Sequence, residues 1–153
     1  MTIYLVEDDP IKAGMLVDFL ANNFQSETTN TYQSFQSGLR AIVKNCPDLI
    51  LLDMTIPTFD RGIGKREGRL RPLGGYDLMR KLSLRKIPFK AIVVTQLEAF
   101  GEGEDKVTFK EITAKCEDEF SGRFLGGIHF QQGSDSWKAN LNSMILNSNL
   151  GIK

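Results

Sequence analysis

Two kinds of hydrophobic patterning alternate along the chain. Short runs of consecutive apolar residues are followed by stretches in which apolar residues return every three or four positions. The runs Thr2–Val6 (TIYLV), 48–53 (DLILLD) and Ala91–Thr95 (AIVVT) are uninterrupted, which is the pattern of strands covered on both faces. The threonine-rich segment 27–32 predicts a weaker strand near the sheet edge, and 126–130 (GGIHF) predicts a last one. Between them lie helical repeats. Ile11, Met15, Leu16, Phe19 and Leu20 form the first, with Asp9 as cap and Pro10 in the first turn. Phe35, Leu39, Ile42 and Val43 follow Ser34, and Pro47 ends that helix. Tyr76, Leu78, Met79 and Leu82 form a short third helix; Phe109, Ile112, Cys116 and Phe120 form a fourth. Trp137, Leu141, Met144 and Ile145 form a closing helix capped by Ser134 or Ser136, and the polar tail after Leu146 is expected to fray.

Strict alternation of strand and helix predicts parallel βαβ units with right-handed crossovers. The architecture expected is a flavodoxin-like α/β/α sandwich around a five-stranded parallel sheet in the order 2-1-3-4-5. It fills 1–153 as one domain, with no room for a second, output domain. Two stretches lack periodicity and are predicted as long loops, 54–74 and 96–106. The first carries Arg61, Lys65, Arg66, Arg69 and Arg71 against Asp60 and Glu67; the second carries Glu98, Glu102, Glu104 and Asp105. Both are expected at one edge of the sheet, where their opposite charges pair the loops or dock a partner.

Composition narrows the function by exclusion. The 153 residues are 41% hydrophobic and 25% charged, values of an ordinary globular domain, with a formal net charge of +0. No global field draws the chain to nucleic acid or an anionic membrane. Cys46 and Cys116 lack the spacing of a zinc site or disulfide framework and are expected to be buried core thiols. No signal peptide or membrane span is apparent, so a cytoplasmic location is the default expectation.

The chemistry is expected at the carboxyl ends of the strands. Strand 1 ends in Glu7, Asp8 and Asp9, strand 3 in Asp53 and strand 4 in Thr95. Carboxylates gathered in one cleft repel, and a hard cation such as Mg2+ neutralises them. A carboxylate beside that ion can accept a phosphoryl group as an acyl phosphate, with the Thr95 hydroxyl donating to a phosphoryl oxygen. Each feature also has a plain structural reading. Asp9 serves as a helix cap, Thr95 is a common strand residue, His129 suits a core or surface position, and the arginines suit a solvated loop. A charge at Asp53 beside four buried aliphatics needs more reason than ending a strand.

The ordered motifs LVEDDP, DLILLDMTIP, GGYDLMRKL and AIVVT resemble the receiver domain of bacterial response regulators. The resemblance covers nearly the whole chain and is firm up to Thr95. It implies Mg2+ held by Glu7, Asp8, Asp53 and the backbone of Thr55. It also implies phosphorylation of Asp53, with Pro57 and Thr95 at their usual places. The implied partners are a sensor histidine kinase or phosphotransfer protein and a separate effector; neither membrane nor nucleic acid is implied. The chain departs from the family in lacking a Lys-Pro pair at the end of the last strand. Phe130 falls at the lysine position, with His129, Gln131 and Gln132 as neighbouring substitutes, and the usual aromatic switch residue has no clear match. A degenerate receiver, working as a phosphorylation-independent interaction module, is therefore the alternative. A Mg2+-dependent phosphatase of the haloacid-dehalogenase type would need an acid where Thr55 stands. A nucleotide or flavin site would need a glycine-rich loop after strand 1.

Overall fold

The computed structural model describes residues 1–24, 27–60 and 70–148. The basic stretch 61–69 and the tail beyond 148 lie outside the described residues, and so do the expectations placed on them. The strands are β1 (Thr2–Val6), β2 (Thr28–Tyr32), β3 (Leu49–Leu52), β4 (Ala91–Thr95) and β5 (Phe124–His129). They form one sheet in the order β2-β1-β3-β4-β5, with every neighbouring pair parallel. The helices are α1 (Pro10–Asn23), α2 (Phe35–Lys44), α3 (Gly74–Leu84), α4 (Phe109–Glu119) and α5 (Ser136–Asn147).

The unbroken aliphatic runs follow from burial on both faces. Ile3, Leu5, Leu49, Leu51, Ile92 and Val94 pack with Leu16 and Phe19 of α1 and Trp137 and Leu141 of α5. Their alternates Tyr4, Val6, Ile50, Leu52 and Val93 pack with Leu39 of α2, Leu78 of α3 and Ile112 of α4. The flavodoxin-like α/β/α arrangement and its strand order agree with the expectation.

Local chemistry sets most of the helix starts. Asp9 accepts from the N–H groups of Ile11 and Lys12, and Ser34 forms a reciprocal capping box with Ser37. Thr108 and Glu111 make a second box at α4. At α5 neither Ser134 nor Ser136 is the cap. Asp135 stands there without a side-chain cap bond, and Ser134 Oγ accepts from Ser136 N–H at 3.2 Å.

The irregular stretches hold short ladders. Ile56–Pro57 pairs antiparallel with Leu70–Arg71, and Ala99–Phe100 with Val107–Thr108. The last strand begins at Phe124, two residues before the predicted start. Opposite the adjacent Ala91 and Ile92 lie Phe124 and Gly126, so Leu125 is an extra residue and Gly126 takes φ 150°. Cys116 is buried in the core, and burial pushes its thiol up to about 12. Cys46 is exposed, contrary to expectation, because α2 stops at Lys44 and leaves it on the following turn.

Candidate functional site

β1 and β3 are joined at their carboxyl ends, where Asp53 N–H donates to the carbonyl of Val6 at 3.1 Å. This brings Glu7 and Asp53 to one edge. Glu7 is buried, and its Oε2 accepts from Asp9 N–H at 3.0 Å. Asp53 keeps 16% of its side chain exposed, and its Oδ1 accepts from Met54 N–H at 2.7 Å. Beneath Asp53 the first turn of α3 lies close. Gly75 N–H donates to the Met54 carbonyl at 2.8 Å, and a Cβ on Gly75 would stand 2.6 Å from the Asp53 carbonyl oxygen. Only glycine permits that approach.

Lys12 is the residue that sequence reasoning missed. Its side chain is 2% exposed, and its ammonium lies 2.6 Å from Glu7 Oε1 and 3.1 Å from Asp53 Oδ2. The same nitrogen donates to the Val94 carbonyl at 2.6 Å. A usable signal was present: Lys12, Leu16, Phe19 and Leu20 share a helical face, and all are buried. Ile11, assigned to the inward stripe, is instead 62% exposed. The aliphatic stem of Lys12 packs as a core residue while its head reaches the acids.

Electrostatics at this point are tightly balanced. Burial pushes the Glu7 carboxyl up to about 7, the Lys12 ammonium opposes that shift, and the charge on Asp53 adds to it. Removing one member of such a buried cluster leaves an uncompensated charge.

The cleft above the cluster encloses about 260 Å³. Glu7, Asp8, Lys12, Asp53 and Thr55 line it from β1, α1 and β3, and Leu70, Gln96 and Leu97 close it from the loops. The structure thus gathers four of the five expected site residues. The fifth, Thr95, is fully buried and is not among the lining residues; its Oγ1 accepts from Leu97 N–H at 3.3 Å, fixing the turn that forms the rim. His129 turns to the Gln96 carbonyl at 3.0 Å, while Gln131 and Gln132 are exposed. Phe130 is buried, with its ring 5.8 Å from the Lys12 ammonium.

Of the first loop's charges, Arg71 and Asp60 are described, and both engage groups outside the second loop. Arg71 stacks on Phe35, donates to Thr58 Oγ1 at 3.0 Å and pairs with Asp77 at 3.8 Å. Asp60 accepts from the hydroxyls of Ser34 and Ser37.

Carboxylates and a carbonyl are the hard oxygen donors that Mg2+ takes. Both Glu7 oxygens, however, are engaged by Lys12 and by Asp9 N–H. Among the described residues no three His, Cys, Asp or Glu side chains are drawn together tightly enough to enclose a metal ion by themselves. Asp8, Asp53 and Thr55 share the lining of the cleft, and oxygen donors of this kind are compatible with a partly hydrated hard cation.

The chain is 31% identical over 144 residues to the Detocs response regulatory protein DtcB of Enterobacter cloacae, spanning 92% of this chain and 95% of that protein. The chain belongs to the response-regulator receiver family. It is also 30% identical to the uncharacterized protein y4jR of Sinorhizobium fredii, over 90% of this chain and 92% of the relative. No family model matches the chain. Among solved structures, a response regulator receiver domain from Clostridium thermocellum superposes with a TM-score of 0.62 at 16% identity, covering 97% of both chains. The response regulator TrrA of Thermotoga maritima, solved in complex with Mg(2+)-BeF, superposes with a TM-score of 0.58 at 15% identity, covering 94% of this chain and 97% of that one. These receivers are signalling domains. Among the described residues no helix is long and apolar enough to cross a membrane.

Proposed function

We propose that this receiver accepts a phosphoryl group on Asp53, from a sensor histidine kinase or phosphotransfer protein, and relays the signal to a separate effector protein. One observation carries the reading. Asp53 is a partly exposed carboxylate on the cleft, oriented through one oxygen by the Met54 N–H and faced at the other by a buried ammonium. A carboxylate so held needs no reorganisation before attack, and fixed donors around it are worth more here than in bulk water. Asp8, Asp53 and the Thr55 carbonyl would hold Mg2+, which when bound supplies charge neutralisation for the transferring group. Thr95 acts from behind by holding the Gln96–Leu97 rim. Glu7 anchors Lys12.

A second reading rests on the same cluster. Lys12 already neutralises Glu7 and Asp53 internally, as a degenerate receiver that serves as a phosphorylation-independent interaction module would need. Incubation with Mg2+ and acetyl phosphate, followed by intact-mass measurement, separates the two. One added phosphoryl group on the wild type and none on Asp53→Ala supports the phosphoacceptor. No adduct on the wild type, with no Mg2+ binding by calorimetry, supports the interaction module.

A further inference from the structure

Among the described residues, the ammonium beside Asp53 belongs to α1. The turn after β5 offers Phe130, whose N–H is used by the Thr95 carbonyl at 2.8 Å and whose ring is buried. No lysine or arginine occurs between Phe124 and Trp137. Among the described residues, the positive charge beside Asp53 comes from Lys12 of α1, whose side chain is buried in the core. We propose that Lys12 is the phosphoryl-binding ammonium of this domain, and that its movement on phosphorylation is registered by Phe130 and Trp137. This rests on the reading of Asp53 as phosphoacceptor.

An ammonium has three N–H donors, and three acceptors surround this one. Two contacts are short, at 2.6 Å to Glu7 and 2.6 Å to the Val94 carbonyl; the third, to Asp53, is longer at 3.1 Å. The first two moor the head, and the third is the one free to be exchanged. With acetyl phosphate, an Asp53 oxygen–phosphorus bond forms as the phosphorus–oxygen bond to acetate breaks. Acetate leaves with the electron pair, and Lys12 keeps all its protons. The N–H that faced Asp53 Oδ2 then turns to a phosphoryl oxygen, exchanging a carboxylate for a more highly charged acceptor. Phe130 closes the apolar side of the head group, so an unpaired orientation is costly there.

The displacement has a ready reporter. The Phe130 ring lies 4.9 Å from that of Trp137, the single tryptophan of the chain, which is fully buried. Trp137 in turn contacts Phe19 of α1 at 5.4 Å, on the helix that carries Lys12. Movement of the Lys12 head therefore alters the packing around one indole between α1 and α5.

The test compares wild type, Lys12→Met and Lys12→Gln, each treated with Mg2+ and acetyl phosphate. Adduct formation is followed by intact mass, tryptophan emission by fluorescence, and folding by thermal melting. Lys12→Gln retains an amide donor in case the apolar variant does not fold. Expected are folded variants that form the adduct about 100-fold more slowly, the loss typical of a removed charge-stabilising donor. The wild type should show an emission change that tracks the adduct, and both variants should lack it. Adduct formation at the wild-type rate in a folded variant overturns the role of Lys12 while leaving Asp53 as phosphoacceptor. Unchanged emission in fully phosphorylated wild type also overturns the proposal, without recourse to any variant. No adduct on the wild type removes the phosphoacceptor reading and this inference together.

Discussion

The two halves of the sheet's carboxyl edge are built on different terms. On the β1–β3 side, three successive acids and Asp53 stand at strand ends, linked by the Asp53–Val6 backbone bond and held close to α3 by Gly75. On the β4–β5 side the polar groups have withdrawn. Thr95 faces its own rim turn, His129 faces the Gln96 carbonyl, and Phe130 is buried. The charge missing from that half is supplied by Lys12, from a helix adjoining the acids rather than from a strand opposite them. A site can thus keep its net charge balance while moving one member to another element, because an ammonium on a flexible stem has several routes to the same point.

Four perturbations test this contrast. The largest effect is the roughly hundredfold slowing at Lys12 already described, which shows that the acid side depends on its imported cation. Next is Gly75→Ala. Its Cβ would meet the Asp53 carbonyl at 2.6 Å, so α3 or the 53–54 segment must shift, at up to about 3 kcal/mol in chemical denaturation. The control is Gly14→Ala, where nothing lies within 4 Å of the new atom; there a gain of about 0.5–1 kcal/mol is expected, from helix propensity. A neutral result at Gly75 would show that the close approach does not constrain the phosphoacceptor.

The third perturbation concerns pH. The Glu7 carboxyl is raised from 4.5 to about 7 in the folded protein, so the folded state holds a proton that the unfolded chain releases at lower pH. Its contribution to stability is complete below pH 4.5, declines as pH rises and is gone above about 7. Glu7→Gln lacks this titration. In the metal-free protein, the stability of the variant relative to wild type is expected to rise by about 2 kcal/mol between pH 5 and 8. A difference that is flat with pH would mean that Lys12 fully compensates the buried carboxylate. The smallest effect is expected on the other half of the edge. Thr95→Val strands the Leu97 N–H and should cost about 1 kcal/mol, with phosphorylation slowed less than about tenfold. Slowing as severe as at Lys12 would put the Thr95 hydroxyl on the phosphoryl group and erase the asymmetry.

Much of the fold was legible because it rests on period and run length. DLILLD and AIVVT are recognisable as doubly covered strands, and the Asp9 and Ser34 starts follow from cap chemistry that acts within three residues. The Thr108–Glu111 box is equally local and was readable but unread. The miss at Ser134 and Ser136 has the same scale, since a hydroxyl near a helix start has several N–H groups within reach. The start of β5 was less accessible. The bulge at Leu125 is set by pairing with β4, which no local window contains. Ile11 and Lys12 show the limit most clearly. Hydrophobicity placed Ile11 inward and left Lys12 unassigned, whereas the phase of α1 on the sheet exposes Ile11 and buries Lys12.

By itself, the order of apolar runs and helical repeats determined a doubly wound parallel sheet. Once that topology is granted, Glu7, Asp8 and Asp53 must emerge at the same edge, because parallel strands all end on one side. The packed fold, not the sequence pattern, brings the Lys12 ammonium to Glu7 and Asp53. Lys12 shares a helical face with Leu16, Phe19 and Leu20, but that spacing does not by itself say which face of α1 meets the sheet. That selection depends on the rotation of α1 against β1 and β4, which is fixed by packing across the whole core.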